Sequence, residues 1–203
     1  MLDIEIAWRK KELINIKSVL SLESETPGKN IYSRVCILLL YAHWEGFIRR
    51  SVKYYLKYIN SQGLRLKDLK NKLIALDLKG EGLIEINSKS MLKFYKMTEF
   101  ISNIEEKSVK LPDDDAIEEP AIMGTALLKE IIFTLDLDYT PFSLLEKKLD
   151  GSLIKKRNNI AHGKRDDIDI DDLSDLLTKV IKLLDNFKDQ LINSISSELY
   201  LRN

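Results

Sequence analysis

With a single cysteine, Cys36, the chain can form no internal disulfide, and no cysteine cluster can hold a metal. That thiol stands in the apolar run Val35-Cys36-Ile37-Leu38-Leu39-Leu40, where a buried structural role accounts for it. Net charge is also lacking: 32 Lys and Arg balance 32 Asp and Glu, which excludes a protein that coats nucleic acid through its global charge. Any contact with nucleic acid must be local. No apolar stretch approaches the roughly 18 residues of a membrane span; the most apolar segment, Val35 to Ala42, is closely bounded by Arg34 and His43. The first residues, Met1 to Glu5, lack the basic flank and apolar core of a signal peptide, so a cytoplasmic protein without a membrane contact is expected.

What the sequence does have is helical periodicity. A chain of 203 residues, 44% of them hydrophobic, suits one cored domain, and the patterning predicts an all-α, up-and-down helical bundle over residues 1–203. Ile4, Trp8, Leu13, Ile16, Val19 and Leu20 predict a first helix from about Asp3 to Leu22, ended near Thr26-Pro27-Gly28. Ile37, Leu40, Tyr41, Trp44, Ile48, Val52, Tyr55 and Ile59 predict a longer one from near Asn30 to Asn60. Residues 61–120 blur the pattern and are expected to be an insertion between core helices. Within it, the alternation from Leu76 to Ile86 suggests a small hairpin, Ser90 to Ile104 a helix, and the acidic run Asp113 to Glu119 a solvated loop. Ala121 to Leu135 and Ser143 to Leu149 are further helices. Asp150-Gly151-Ser152 reads as a turn capping a helix from Leu153 to His162, which Gly163 stops. The stripe Leu173, Leu176, Leu177, Val180, Ile181, Leu184, Phe187, Leu191 and Ile195 makes the last helix. The carboxylates from Asp166 to Asp172 invite a metal site, but capping and solvation explain them and no His or Cys completes a ligand set, so no metal is expected.

One segment is chemically pointed: Ile154-Lys155-Lys156-Arg157-Asn158-Asn159-Ile160-Ala161-His162-Gly163-Lys164-Arg165. On a helix, Asn158 and His162 share a face and Arg157 lies one row over. Arginine offers a planar cationic fork suited to phosphate, and histidine exchanges a proton near neutral pH. Lys155, Lys156, Lys164 and Arg165, with Lys147 and Lys148 nearby, make a basic zone able to follow a phosphate backbone. A bland reading stands beside this one, a basic surface helix in which His162 only caps the C-terminus. Upstream, Glu45 either pairs on the surface with Arg49 or faces the Arg157/His162 cleft as a supporting acid. His43 and Trp44 read as packing residues, with a catalytic His43 the alternative.

Arg157-Asn158-x-x-x-His162 resembles the R-x4-H motif of the HEPN superfamily, and the pairing of Arg157 to Gly163 with Tyr41-Ala42-His43-Trp44-Glu45-Gly46-Phe47 is similar to its prokaryotic nuclease type. Many HEPN members are metal-independent ribonucleases. The resemblance implies an endoribonuclease without a cofactor, with Arg157, Asn158 and His162 catalytic and Glu45 and Asn159 supporting. It implies RNA contacts from Lys155, Lys156, Lys164 and Arg165. It also implies a homodimer whose motif helices meet at a two-fold axis in a composite site, and a place in a toxin–antitoxin or phage-defence system, with an antitoxin partner in the former. In members paired with a nucleotidyltransferase antitoxin, a tyrosine two past the histidine is modified; here Lys164 stands there. Two other readings stay open: a non-catalytic HEPN module binding RNA, nucleotide or a protein, and a helical interaction protein working through its insertion.

Overall fold

A computed structural model describes residues 1–22, 28–82, 89–113 and 122–202. Among them every regular element is helical, and the only strand-like pairings are isolated bridges, Arg65 to Ser108 and Leu69 to Leu201. The helices are α1 (Leu2–Leu22), α2 (Lys29–Asn60), α3 (Asn71–Gly80), α4 (Met91–Ser102), α5 (Thr125–Thr134), the single turn α6 (Thr140–Ser143), α7 (Glu146–Lys148), α8 (Lys155–Ala161) and α9 (Ile170–Ser196), with a 3-10 turn at Leu66–Asp68. The expected all-helical bundle is what forms. No described helix is long and apolar enough to cross a membrane.

The chain falls into two compact units, one of residues 1–51, 122–129 and 139–189, the other of residues 52–121, 130–138 and 190–203. In the first, α2 contributes Ile37, Leu40, Trp44, Phe47 and Ile48 to the core, and α9 contributes Leu173, Leu176, Leu177, Val180, Leu184 and Phe187, all buried. Those spacings are three and four, so each helix presents one apolar stripe. The helix α1 runs antiparallel to both, since Lys10 pairs with Asp185 at 2.7 Å, Lys17 donates to Thr178 at 2.8 Å, and Glu5 meets Arg50 at 2.9 Å. In the second unit Tyr55, Leu56 and Ile59 are fully buried, and the Tyr55 hydroxyl lies 2.8 Å from Ser194 Oγ. There Leu73, Leu76 and Asp77 form the buried face of α3.

Several expectations change. The hairpin placed from Leu76 is instead the end of α3: Leu73 and Leu76 lie one turn apart on its buried face, Glu81 N–H returns to the Asp77 carbonyl, and Gly82 turns the chain at φ +67°. The remainder of that stretch, from Leu83, and the acidic run from Asp114 fall outside the described residues, as do Thr26 and Pro27. On α1 the face is rotated: Ile4 and Trp8 are exposed, while Glu5 and Arg9 are buried. Charge pairing explains this, because Glu5 is held by Arg50 and Arg9, and the Arg9 guanidinium packs over Trp8 at 4.4 Å. Burial works to raise the Glu5 carboxyl, but Arg50 and Arg9 outweigh it and hold it below its ordinary range. Gly46 makes room for that guanidinium, since a Cβ there would stand 3.1 Å from it. The helix expected from Ala121 begins at Thr125, and Ile122 is exposed rather than packed.

Candidate functional site

The motif helix does not start as its sequence suggests. Asp150-Gly151-Ser152 forms no turn; a π-helical stretch, Leu149–Ile154, carries the chain from α7 into α8 without a break. Asp150 is occupied elsewhere, accepting from Thr125 N–H at 3.2 Å and from the Thr125 hydroxyl at 2.5 Å, so it caps α5 from a distance. Leu149 and Leu153 anchor the stretch in the core. The wider π turn ends three residues before Arg157, and such insertions often mark working segments of helices.

The far end of α8 closes as expected. His162 is its C-cap residue and Gly163 follows at φ +73°. Gly163 N–H bonds the Ile160 carbonyl at 3.0 Å and Lys164 N–H bonds the Asn159 carbonyl at 2.9 Å. These two bonds are those of a Schellman motif, which needs a left-handed residue after the cap. His162 is therefore held on a fixed backbone while its side chain is exposed, and among the described residues its ring has no hydrogen bond or ion pair. The chain then bends back through Asp166, which accepts from the Asn159 amide at 2.9 Å, to Asp169, which caps α9 through Asp172 N–H at 2.9 Å.

Arg157 is half-buried, with its guanidinium over the Tyr41 ring at 4.5 Å and Nη1 donating to Asn158 Oδ1 at 2.9 Å. Tyr41 is itself pinned, because its hydroxyl accepts from Met123 N–H at 3.0 Å. One turn on, Trp44 Nε1 donates to the Met123 carbonyl at 3.2 Å. Both polar groups of the fully buried Met123 are thus satisfied by α2. Burial pushes the Tyr41 phenol above its ordinary value and the Glu45 carboxylate adds to this, against Met123 N–H and Arg157. Two turns before Tyr41, Arg34 donates to the Lys164 carbonyl at 3.3 Å. The side of α2 bearing Arg34, Tyr41 and Glu45 therefore lines the motif.

Of the residues picked from sequence, Arg157 and Asn158 are joined by a direct bond, and His162 stands at the end of the same helix. Asn159 points to the following loop. Glu45 pairs with Arg49 at 3.0 Å, the pairing foreseen but half-buried rather than at the surface, and also acts on the tyrosine beneath Arg157. Lys155, Lys164 and Arg165 are exposed and Lys156 is half-buried, whereas Lys148 is drawn into an ion pair with Asp175 and leaves the basic zone. His43 is buried, as the packing reading held. Its Nε2 lies 2.8 Å from Glu12, out of line for a hydrogen bond, Nδ1 faces Arg9 at 3.5 Å, and Trp8 meets the ring edge-on at 5.3 Å. Cys36 is buried too, and burial raises its thiol to about 11, which makes it unreactive. Tyr41 and Arg34 were missed as site residues. The sequence signal was a tyrosine within an apolar stripe that carries an arginine seven residues before it and a glutamate four after, all in one row.

No curated protein and no solved structure matches the chain. A family model does, the MAE_28990-like HEPN, over residues 1–200. An all-helical fold and a single Arg-x4-His helix end agree with that match, and with nearly the whole length covered, this chain belongs to the HEPN family, whose members are generally RNase-like.

Proposed function

We propose that the protein is a metal-independent endoribonuclease working through Arg157 and His162. The observation that carries this is the contrast between the two side chains: an exposed imidazole on a rigid helix end, and a guanidinium stacked on a buried ring with donors left over. His162 takes the proton of a ribose 2′-hydroxyl as its oxygen attacks the adjacent phosphorus. The P–O5′ bond breaks, the leaving oxygen takes a proton, and the products are a 2′,3′-cyclic phosphate and a 5′-hydroxyl. Arg157 stabilises the charge that builds on the phosphorane oxygens, and Asn158, which occupies one guanidinium donor, leaves the others for the phosphate. Lys155, Lys156, Lys164 and Arg165 hold the flanking phosphates.

One histidine cannot stand at both the attacking and the leaving oxygen, which lie on opposite sides of phosphorus. A second copy supplies the other. Supporting this, α2 exposes a stripe of Ile31, Tyr32, Val35, Leu38 and Leu39, with Leu38 four residues after Arg34 and three before Tyr41. A contiguous apolar surface of this kind suits an isologous interface beside the motif. In the cell the activity is that of a toxin–antitoxin or phage-defence effector, so expressing the wild type arrests growth and expressing His162→Ala does not.

The test is to incubate wild type, Arg157→Ala and His162→Ala with a structured RNA in EDTA and to analyse the ends. Cyclic phosphate ends from the wild type alone support the reading. Equal cleavage by all three, or 3′-hydroxyl ends, rejects it. RNA binding without cleavage, unchanged in His162→Ala, selects instead a non-catalytic HEPN module.

A further inference from the structure

We infer that Tyr41 is the positioning residue of Arg157, and that α2 rather than the motif helix sets where the guanidinium stands. The inference rests on the nuclease reading for its kinetic consequence, but its geometric half stands alone. An arginine side chain has four rotatable bonds, and within α8 the Arg157 guanidinium is hydrogen-bonded to the neighbouring Asn158. Such a pair moves with the helix and cannot fix the group against the rest of the protein. The Tyr41 ring does that, lying 4.5 Å beneath the guanidinium carbon.

The ring cannot swing away without a loss. Its hydroxyl is the acceptor for Met123 N–H, and Trp44 holds the carbonyl of that same residue, so turning Tyr41 would strand a buried donor. Stacking also leaves the rim of the guanidinium, where its N–H donors point, to meet a phosphate. Arg34 on the same row of α2 holds the Lys164 carbonyl, two residues past His162. Thus α2 meets the side chain at one end of the motif and the backbone just past the other, from two positions seven residues apart on one helix.

The experiment joins an NMR measurement to kinetics. In the wild type the Arg157 δ-methylene protons are shifted upfield by the Tyr41 ring current. Tyr41→Phe keeps a ring under Arg157 but leaves Met123 N–H without its acceptor, so it retains part of the shift and of the cleavage and lowers Tm. Tyr41→Leu instead returns the protons to random-coil positions and lowers kcat about a hundredfold, as a misplacement of about 1 Å does, with KM nearly unchanged. Because Tyr41 is buried, Arg157→Lys provides a variant at a partly exposed site: it keeps the charge, loses the stacking plane and falls with Tyr41→Leu. Unshifted Arg157 protons in the wild type, a folded Tyr41→Leu with full kcat, or an Arg157→Lys enzyme near wild-type rate would each overturn the inference. If the wild type cuts no RNA, the nuclease reading falls, and the ring-current shift and its loss in Tyr41→Leu still decide whether Tyr41 places Arg157.

Discussion

Replacing Gly163 by alanine tests how His162 is held. The residue stands at φ +73° with nothing within 4 Å of where a Cβ would be, so the change adds no clash and only forces an L side chain into the left-handed region. That conformation costs about 1–2 kcal/mol for a residue with a Cβ. Alanine also reduces the freedom of the unfolded chain, which offsets part of it. A net loss of about 1 kcal/mol is expected, equivalent to a fall of about 2–4 °C in Tm for a protein of this size. Thermal unfolding followed by circular dichroism reads it directly, and Gly163→Asn, better tolerated in this region, should fall between the two. Because the bonds from Gly163 and Lys164 close the helix directly after His162, RNA cleavage should drop further than stability at a temperature where the variant is fully folded. A Gly163→Ala protein with unchanged Tm would refute the Schellman account, and one with reduced Tm but undiminished cleavage would show that His162 does not depend on it.

Other expected outcomes follow from the same geometry. Burial pushes the His43 imidazole below its ordinary value, with Arg9 adding to this and Glu12 opposing it. A histidine harder to protonate when folded stabilises the protein fully above its unfolded pKa of about 6.5 and loses that contribution as pH falls toward the folded value. Urea melts between pH 7.5 and 5 should therefore show stability falling with pH, and His43→Gln should flatten the slope; an equal slope in both excludes His43 as the source. Asp150→Ala removes both bonds to Thr125 and should cost about 1–2 kcal/mol, as lost helix caps do, whereas Asp150 as a simple turn residue would cost almost nothing. Leu38→Glu, on the exposed stripe of α2, should convert a dimer to a monomer in light scattering without lowering the monomer's helicity; a wild type already monomeric at micromolar concentration would contradict the interface.

How far this could be seen in the chain alone depends on which force decides each feature. The stripes of α2 and α9 are set by apolar burial at helical spacing, and these positions proved buried from Ile37 to Ile59 and from Leu173 to Leu191, except Ile181, which is half-buried, as is Ile195. The helix stop at Gly163 was equally legible, since only a residue free to take positive φ closes a Schellman motif. Local reading failed where a distant partner took over. Asp150 looks like a turn residue because its partner, Thr125, is 25 positions away. Ile4 and Trp8 look like core because nothing nearby shows that Glu5 and Arg9 will be buried as a charge cluster against Arg50 and His43. Tyr41 was counted as packing because its ring does pack; its second task, under Arg157, appears only when α8 is laid against α2.

The central claim is that the cleavage step uses the ribose 2′-hydroxyl, activated at His162. It is met most directly by mapping a cut in a short RNA and then repeating the reaction on the same RNA with one 2′-deoxy sugar immediately 5′ of the scissile phosphate. The account predicts that this single change abolishes cutting there while binding is retained. Continued cutting at the modified position would contradict it.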